Sequence, residues 1–158
     1  MSYDAGQYRW RETYFVWFLS SRRPTLQQVE ETIRKLDTHY AISNSAADPK
    51  GFIESVTVTS PVDNSALEID YAVGDDVLLE ANRLAEEFGP DDGDPAKRDQ
   101  LPRCDARFEV MHFERFFDGE TEEESEEMFD PTALVIVIEA LIELTRGVGV
   151  DPQSGMLL

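Results

Sequence analysis

The chain has 158 residues, enough for one well-buried core, and its composition, 41% hydrophobic and 30% charged, is not that of a disordered or membrane chain. Its net charge of −19 is unevenly placed: residues 1–50 hold seven Lys or Arg against six Asp or Glu, and residues 51–158 hold seven against 27. A field of that sign repels nucleic-acid phosphates and anionic membranes and attracts cations or a basic protein, so nucleic acid and membrane are excluded as expected partners.

One domain over 1–158 is expected, beginning with a polar N-terminal arm over 1–12. The segment 13–19 (TYFVWFL) is β-branched and aromatic on both faces, which predicts a strand covered from both sides. A helix over about 25–39 follows. Leu26, Val29, Ile33 and Leu36 recur at helical spacing, and Thr25 with Gln28 forms a capping box. The stretch holding Asn44, Asp48, Pro49 and Gly51 reads as a connector, leading to a strand over 52–60.

The turn residues Pro61, Val62, Asp63 and Asn64 then join two alternating segments in a hairpin. Pairing Ser60 with Ser65 sets Val58 opposite Leu67 and Val56 opposite Ile69 on an apolar side. The same register sets Thr57 opposite Glu68 and Ser55 opposite Asp70 on a polar side.

A second helix starts at Gly74-Asp75-Asp76, with an Asp expected to accept from its first backbone N–H groups. Val77, Ala81, Leu84 and Phe88 form its stripe, and Gly89-Pro90 its stop. An acidic, Pro-containing loop over 90–103 precedes a strand over 104–113, with Ala106, Phe108 and Val110 on one face. A second acidic loop is expected over 118–130. Asp130 and Pro131 then read as N-cap and first residue of an apolar helix over 131–146, which Gly147 ends, leaving a tail over 147–158. That helix is apolar on nearly all sides, so it either covers an open sheet face or meets a second copy.

The order β-α-β-β-α-β-α predicts an α+β fold. Its first six elements resemble, in topology, the split β-α-β arrangement of ferredoxin-like folds: a two-layer core, here with an added C-terminal apolar helix. The single Cys104 and the absence of an apolar leader in the first ten residues predict cytoplasmic residence, and the run 133–142, broken by Glu139, is too short to cross a bilayer.

No catalytic or cofactor motif stands out. Asp91, Asp92 and Asp94 around Gly93 suggest a divalent-cation turn, although the spacing lacks the pattern of an EF-hand and a solvated turn is the plainer reading. Glu120, Glu122, Glu123, Glu124, Glu126 and Glu127 suggest a lure for a basic partner, against the plainer reading of a solvated loop. Cys104 and His112 sit about 27 Å apart along one strand at the usual rise and cannot act as a nucleophile pair, and His39 is not tied to Cys104 by any pattern. Cys104 reads as a small buried hydrophobe and His112 as a core or edge residue. Two His and one Cys fall short of a zinc site, and Gly147-Val148-Gly149 follows a helix instead of opening one, so it is no phosphate loop. Phe15 and Trp17 are the residues that would stack RNA bases on such a sheet, a use the charge opposes. Arg22 and Arg23 form a small basic spot.

The expected function is a non-enzymatic acidic interaction domain that forms a homodimer or binds a basic protein. The alternatives are a hydrolase or small-ligand enzyme using Glu54, Glu68 or Asp70 with a divalent cation, and an antitoxin-like or immunity-like inhibitor of a basic enzyme.

Overall fold

The computed structural model describes residues 8–37, 39–62, 64–115, 131–151 and 154–158. Its strands are β1 (Tyr8–Phe18), β2 (Ala41–Ala47), β3 (Ile53–Ser60), β4 (Ser65–Val73), β5 (Ala106–Arg115) and β6 (Val148–Gly149). Its helices are α1 (Leu26–Leu36), α2 (Asp75–Ala85), α3 (Pro95–Gln100) and α4 (Thr132–Thr145). The strands form one antiparallel sheet in the order β2-β3-β4-β5-β1-β6. No helix among the described residues is long and apolar enough to cross a membrane.

The hairpin register follows the alternation: Ser60 pairs with Ser65, Val58 with Leu67, Val56 with Ile69 and Ser55 with Asp70. The capping box also forms, with Gln28 N–H donating to Thr25 Oγ1 at 3.1 Å and Thr25 N–H to Gln28 Oε1 at 2.9 Å. Helix α1 ends at Leu36, because Asp37 turns extended.

The α+β class holds, but the ferredoxin-like topology does not describe this sheet. That arrangement sets the first strand beside the third. Here β2-β3-β4-β5 is a meander, and β1 joins its far side by pairing with β5. Segment 74–105 returns the chain antiparallel to β4 instead of crossing the sheet, which fixes this order.

Four local expectations are corrected. Residues 8–12 are not an arm. They extend β1 along the end of β5, Tyr8 opposite Arg115, with a register shift between Trp10 and Glu12. The connector contains β2, whose weak alternation is masked by a register shift between Ser43 and Ala46, where Asn44 has φ 49°. The loop over 90–103 contains α3, capped by Asp94 accepting from Ala96 N–H at 2.9 Å and opened by Pro95, and then a short 3-10 turn, Leu101–Arg103. Helix α2 has Gly74 at its N-cap with no side-chain cap, so Asp75 and Asp76 act there only through the helix dipole. The acidic stretch over 118–130, with Asp130, lies outside the described residues, and α4 begins at Thr132 with Pro131 as its N-cap.

Two apolar clusters hold the sheet. Under α1 and α4, Val16, Phe18, Val29, Ile33, Phe108, Leu134, Ile138 and Leu141 are buried together, with the Phe18 and Phe108 rings 4.9 Å apart. On the opposite face, Trp17 packs with Val77, Ala81, Leu101, Cys104, Val148 and Leu157. Alternation along β1 therefore feeds both clusters, as its doubly apolar sequence requires. Most of the apolar surface of α4 is buried within this core, with Ile136 left exposed.

The end of α4 is closed by a pair of backbone bonds. Gly147 N–H donates to Ile142 O at 3.0 Å, Arg146 N–H to Glu143 O at 3.4 Å, and Arg146 takes the left-handed conformation, φ 54° and ψ 37°. The left-handed residue is thus Arg146, one position before the expected Gly147. Gly147 is needed for a different reason: a Cβ there would collide with the Trp17 carbonyl and the Thr145 hydroxyl. This close approach lets β6 pair with Val16 and Trp17, and Leu158 exchanges backbone bonds with Gly149 at 2.8 and 3.2 Å.

Candidate functional site

The sheet face opposite α4 carries a row of charges beside α2. On β4, Glu68 and Asp70 stand two residues apart on this face, and on β5 Arg107 and Glu109 do the same. Pairing sets Asp70 directly opposite Glu109 and Glu68 opposite Met111. Arg107 binds Glu109 at 3.0 Å and also Glu80 of α2, joining helix to sheet. Its guanidinium lies 4.6 Å from the Phe15 ring centre and 5.0 Å from that of Trp17, a cation–π arrangement that fixes its plane. The row therefore runs Glu80, Arg107, Glu109, Asp70, Glu68.

Burial raises the Asp70 carboxyl above its ordinary value, and the charges of Glu68 and Glu109 raise it further. Like charges directly opposite on paired strands repel, so this arrangement works against folding. Beside the row, α2 exposes Leu79 at 51%, together with Asp75, Asp76 and Glu80, whereas exposed Val73 at the end of β4 falls by alternation on the opposite face, with Leu67 and Ile69.

The pair expected from sequence, Glu68 and Asp70, is thus brought together, whereas Glu54 is exposed one residue before Ser55 and, by alternation, turns away from this row. Arg107 and Glu109 share the face of their strand that alternates with Ala106, Phe108 and Val110, and nothing in that pattern marks them as a site. Glu80 was hidden, because nothing local tells which helix residue meets which strand.

The other candidates have assignable structural work. Asp92 Oδ2 accepts from Gly89 N–H at 2.7 Å and Asp94 caps α3, while Asp91 is exposed. Among the described residues, no group of three or more His, Cys, Asp or Glu is arranged to hold a metal ion. Glu120, Glu122, Glu123, Glu124, Glu126 and Glu127 lie outside the described residues. Cys104 is fully buried, its thiol pushed up to about 11 by burial, and its Sγ donates to Gln100 O at 3.5 Å. It lies on the opposite face of the sheet from α1, at whose end exposed His39 sits 2.7 Å from Asp37. His112 is fully buried, with Nε2 3.2 Å from Ser65 Oγ. Trp17 is only 3% exposed and Phe15 is covered by Arg107, so neither presents a ring for a base to stack on.

Comparison with protein families, curated sequences and solved structures finds no match for this chain.

Proposed function

We propose that this chain is an acidic interaction domain that docks a basic protein on the β4–β5 face beside α2. The observation that carries this reading is Asp70 set directly against Glu109, with Glu68 two residues along. A row of carboxylates that costs stability in the isolated chain is relieved when a guanidinium or ammonium group enters it. Exposed Leu79 of α2 supplies apolar contact for a partner whose basic groups enter the row. A basic protein is favoured over a second copy as the occupant because most apolar residues of α4 are buried within this chain, Ile136 being the exposed exception.

The test is titration of an oligoarginine peptide against the full chain at several salt concentrations. Saturable binding that weakens steeply with salt is expected. The double variant Glu68→Gln with Asp70→Asn should weaken it by about tenfold, a loss of about 1.4 kcal/mol. The control removes the same charge elsewhere, by Asp91→Asn with Asp92→Asn, and should weaken binding far less. Equal losses in the two double variants would show that net charge acts alone and would overturn the assignment of the face.

A further inference from the structure

We infer that a cavity beside the C-terminal end of α4 binds a phosphate group. The cavity measures about 280 Å³, and Arg22, Arg23, Gln28, Thr145 and Arg146 contribute to its wall. Three guanidiniums line it and no carboxylate does, in a chain with 33 acidic residues. Two neighbouring hollows are mixed in charge: one of about 320 Å³ shares Arg22 and adds Arg103 and Asp99, and one of about 510 Å³ shares Arg146 and adds Lys35 and Glu143. The cavity with three arginines and no carboxylate therefore stands apart from its neighbours and from the charge of the whole molecule.

The three arginines are not equivalent. Arg23 is built into the fold: it donates to Ile53 O at 2.6 and 3.0 Å, meets Asp48 at 3.3 Å and lies 4.1 Å from the Tyr71 ring centre. Arg22 and Arg146 are exposed, and neither forms an ion pair among the described residues. Gln28 gives its Oε1 to the Thr25 N–H, which leaves the amide NH₂ as the part of its head free to donate. The wall thus offers two guanidiniums without a carboxylate partner, that of Arg22 giving one N–H to Arg146 O at 3.3 Å and keeping its other donors, and a neutral donor.

A helix C-terminus ordinarily repels anions. Here several carbonyls at this end are already engaged: Gly147 N–H takes Ile142 O, Arg22 and Gln100 donate to Arg146 O, and Lys97 Nζ donates to Gly147 O. The backbone of Arg146 supplies an independent sign. A residue held in the left-handed conformation is ordinarily Gly, and an arginine there places its charged side chain at the cavity mouth at a conformational cost.

The number of donors selects the ligand. One guanidinium fork satisfies a carboxylate, whereas the remaining donors of two guanidiniums and an amide suit a doubly charged tetrahedral group with more oxygens to share. At physiological ionic strength charges beyond about 8 Å are screened, so the arginines of the wall act against the carboxylates nearest them, Asp99 and Glu143 of the adjoining hollows, and not against the whole net charge.

The test titrates inorganic phosphate, methyl phosphate and acetate into the full chain at constant ionic strength, following melting temperature and the arginine side-chain NMR signals. Both phosphates should raise the melting temperature saturably and shift the Arg22 and Arg146 signals, with acetate well behind. Tighter binding of methyl phosphate than of phosphate identifies an ester as ligand, and equal binding identifies the free ion. Arg146→Gly keeps a residue suited to the left-handed position and removes the guanidinium, so it should fold and bind about tenfold more weakly. Arg22→Gln should show the same loss. A phosphate response no larger than that to chloride, or full binding by both variants, would overturn the site.

Discussion

Asp70 and Glu109 face each other across the β4–β5 pair, two carboxylates at a register position where opposite charges would favour folding. Arg107 answers one of them, binding Glu109 at 3.0 Å while its guanidinium rests on Phe15 and Trp17. The arrangement leaves negative charge on a half-buried strand face, and its consequence for stability has a definite sign.

Burial, Glu68 and Glu109 raise the Asp70 carboxyl above its ordinary value of 3.8, so the folded chain keeps this proton to higher pH than the unfolded chain. Stability from this group is therefore present at low pH and lost as pH rises through the raised value. Asp70→Asn should stabilise the protein at neutral pH by about 0.5 kcal/mol, or about 1–2 °C in melting temperature. The gain should vanish near pH 3, where both side chains are uncharged. A melting temperature at pH 7 equal to or below that of the parent would mean the two carboxylates do not repel.

The close of α4 separates two requirements that a sequence reader merges. Arg146 takes the left-handed conformation, whereas Gly147 avoids a collision with the Trp17 carbonyl. Arg146→Gly should raise stability by about 0.5–1 kcal/mol, relief of the left-handed conformation being partly offset by a more flexible unfolded chain. Gly147→Ala should lower it by about 2 kcal/mol or more, because the obstacle is backbone and the neighbouring β6 pairing must shift. Urea midpoints of the two variants decide the matter, and a loss on Arg146→Gly would reject the strain.

What was legible in the sequence was local. The Thr25–Gln28 box and the Ser60–Ser65 register follow from short-range rules, because a capping residue and an alternating hairpin carry their geometry in adjacent positions. Strand order was not legible: that β5 returns beside β4 and takes β1 on its other side depends on how 74–105 packs, and no residue in that stretch announces it. The candidate sites failed to appear for the same reason. Asp70 and Glu109 are 39 positions apart, Arg22 and Arg146 are 124 apart, and only the assembled sheet sets each pair together.

The burial of α4 predicts a contrast along one helix. Leu141 is fully buried among Val16, Phe18 and Phe108, whereas Ile136, five residues earlier, is 36% exposed. Leu141→Ala should cost about 2–5 kcal/mol through lost transfer and the cavity left behind. Ile136→Ala should cost about 1 kcal/mol or less, since much of its side chain stays in water. Denaturant unfolding of both variants tests the placement, and similar losses would show that Ile136 is covered by a contact such as a second copy.

His112 supplies the opposite pH dependence to Asp70. It is fully buried, with Ser65 Oγ 3.2 Å from Nε2, and Arg11, which binds Glu114 at 3.4 Å, also acts on it. Burial pushes its pKa down to about 4; Arg11 lowers it further and Glu12 opposes. Between about 4 and the ordinary 6.5 the unfolded chain binds this proton and the folded chain does not, so stability rises with pH across that window. The full effect is about 3 kcal/mol, set by the gap between the two values. His112→Leu removes the titration and should flatten the curve of unfolding free energy against pH between 4 and 6.5, whatever its stability at pH 8. Asp70 slopes the other way but is common to both proteins, so the difference between their curves isolates the histidine. Parallel curves for parent and variant would show that His112 titrates in the folded chain as it does in the unfolded one.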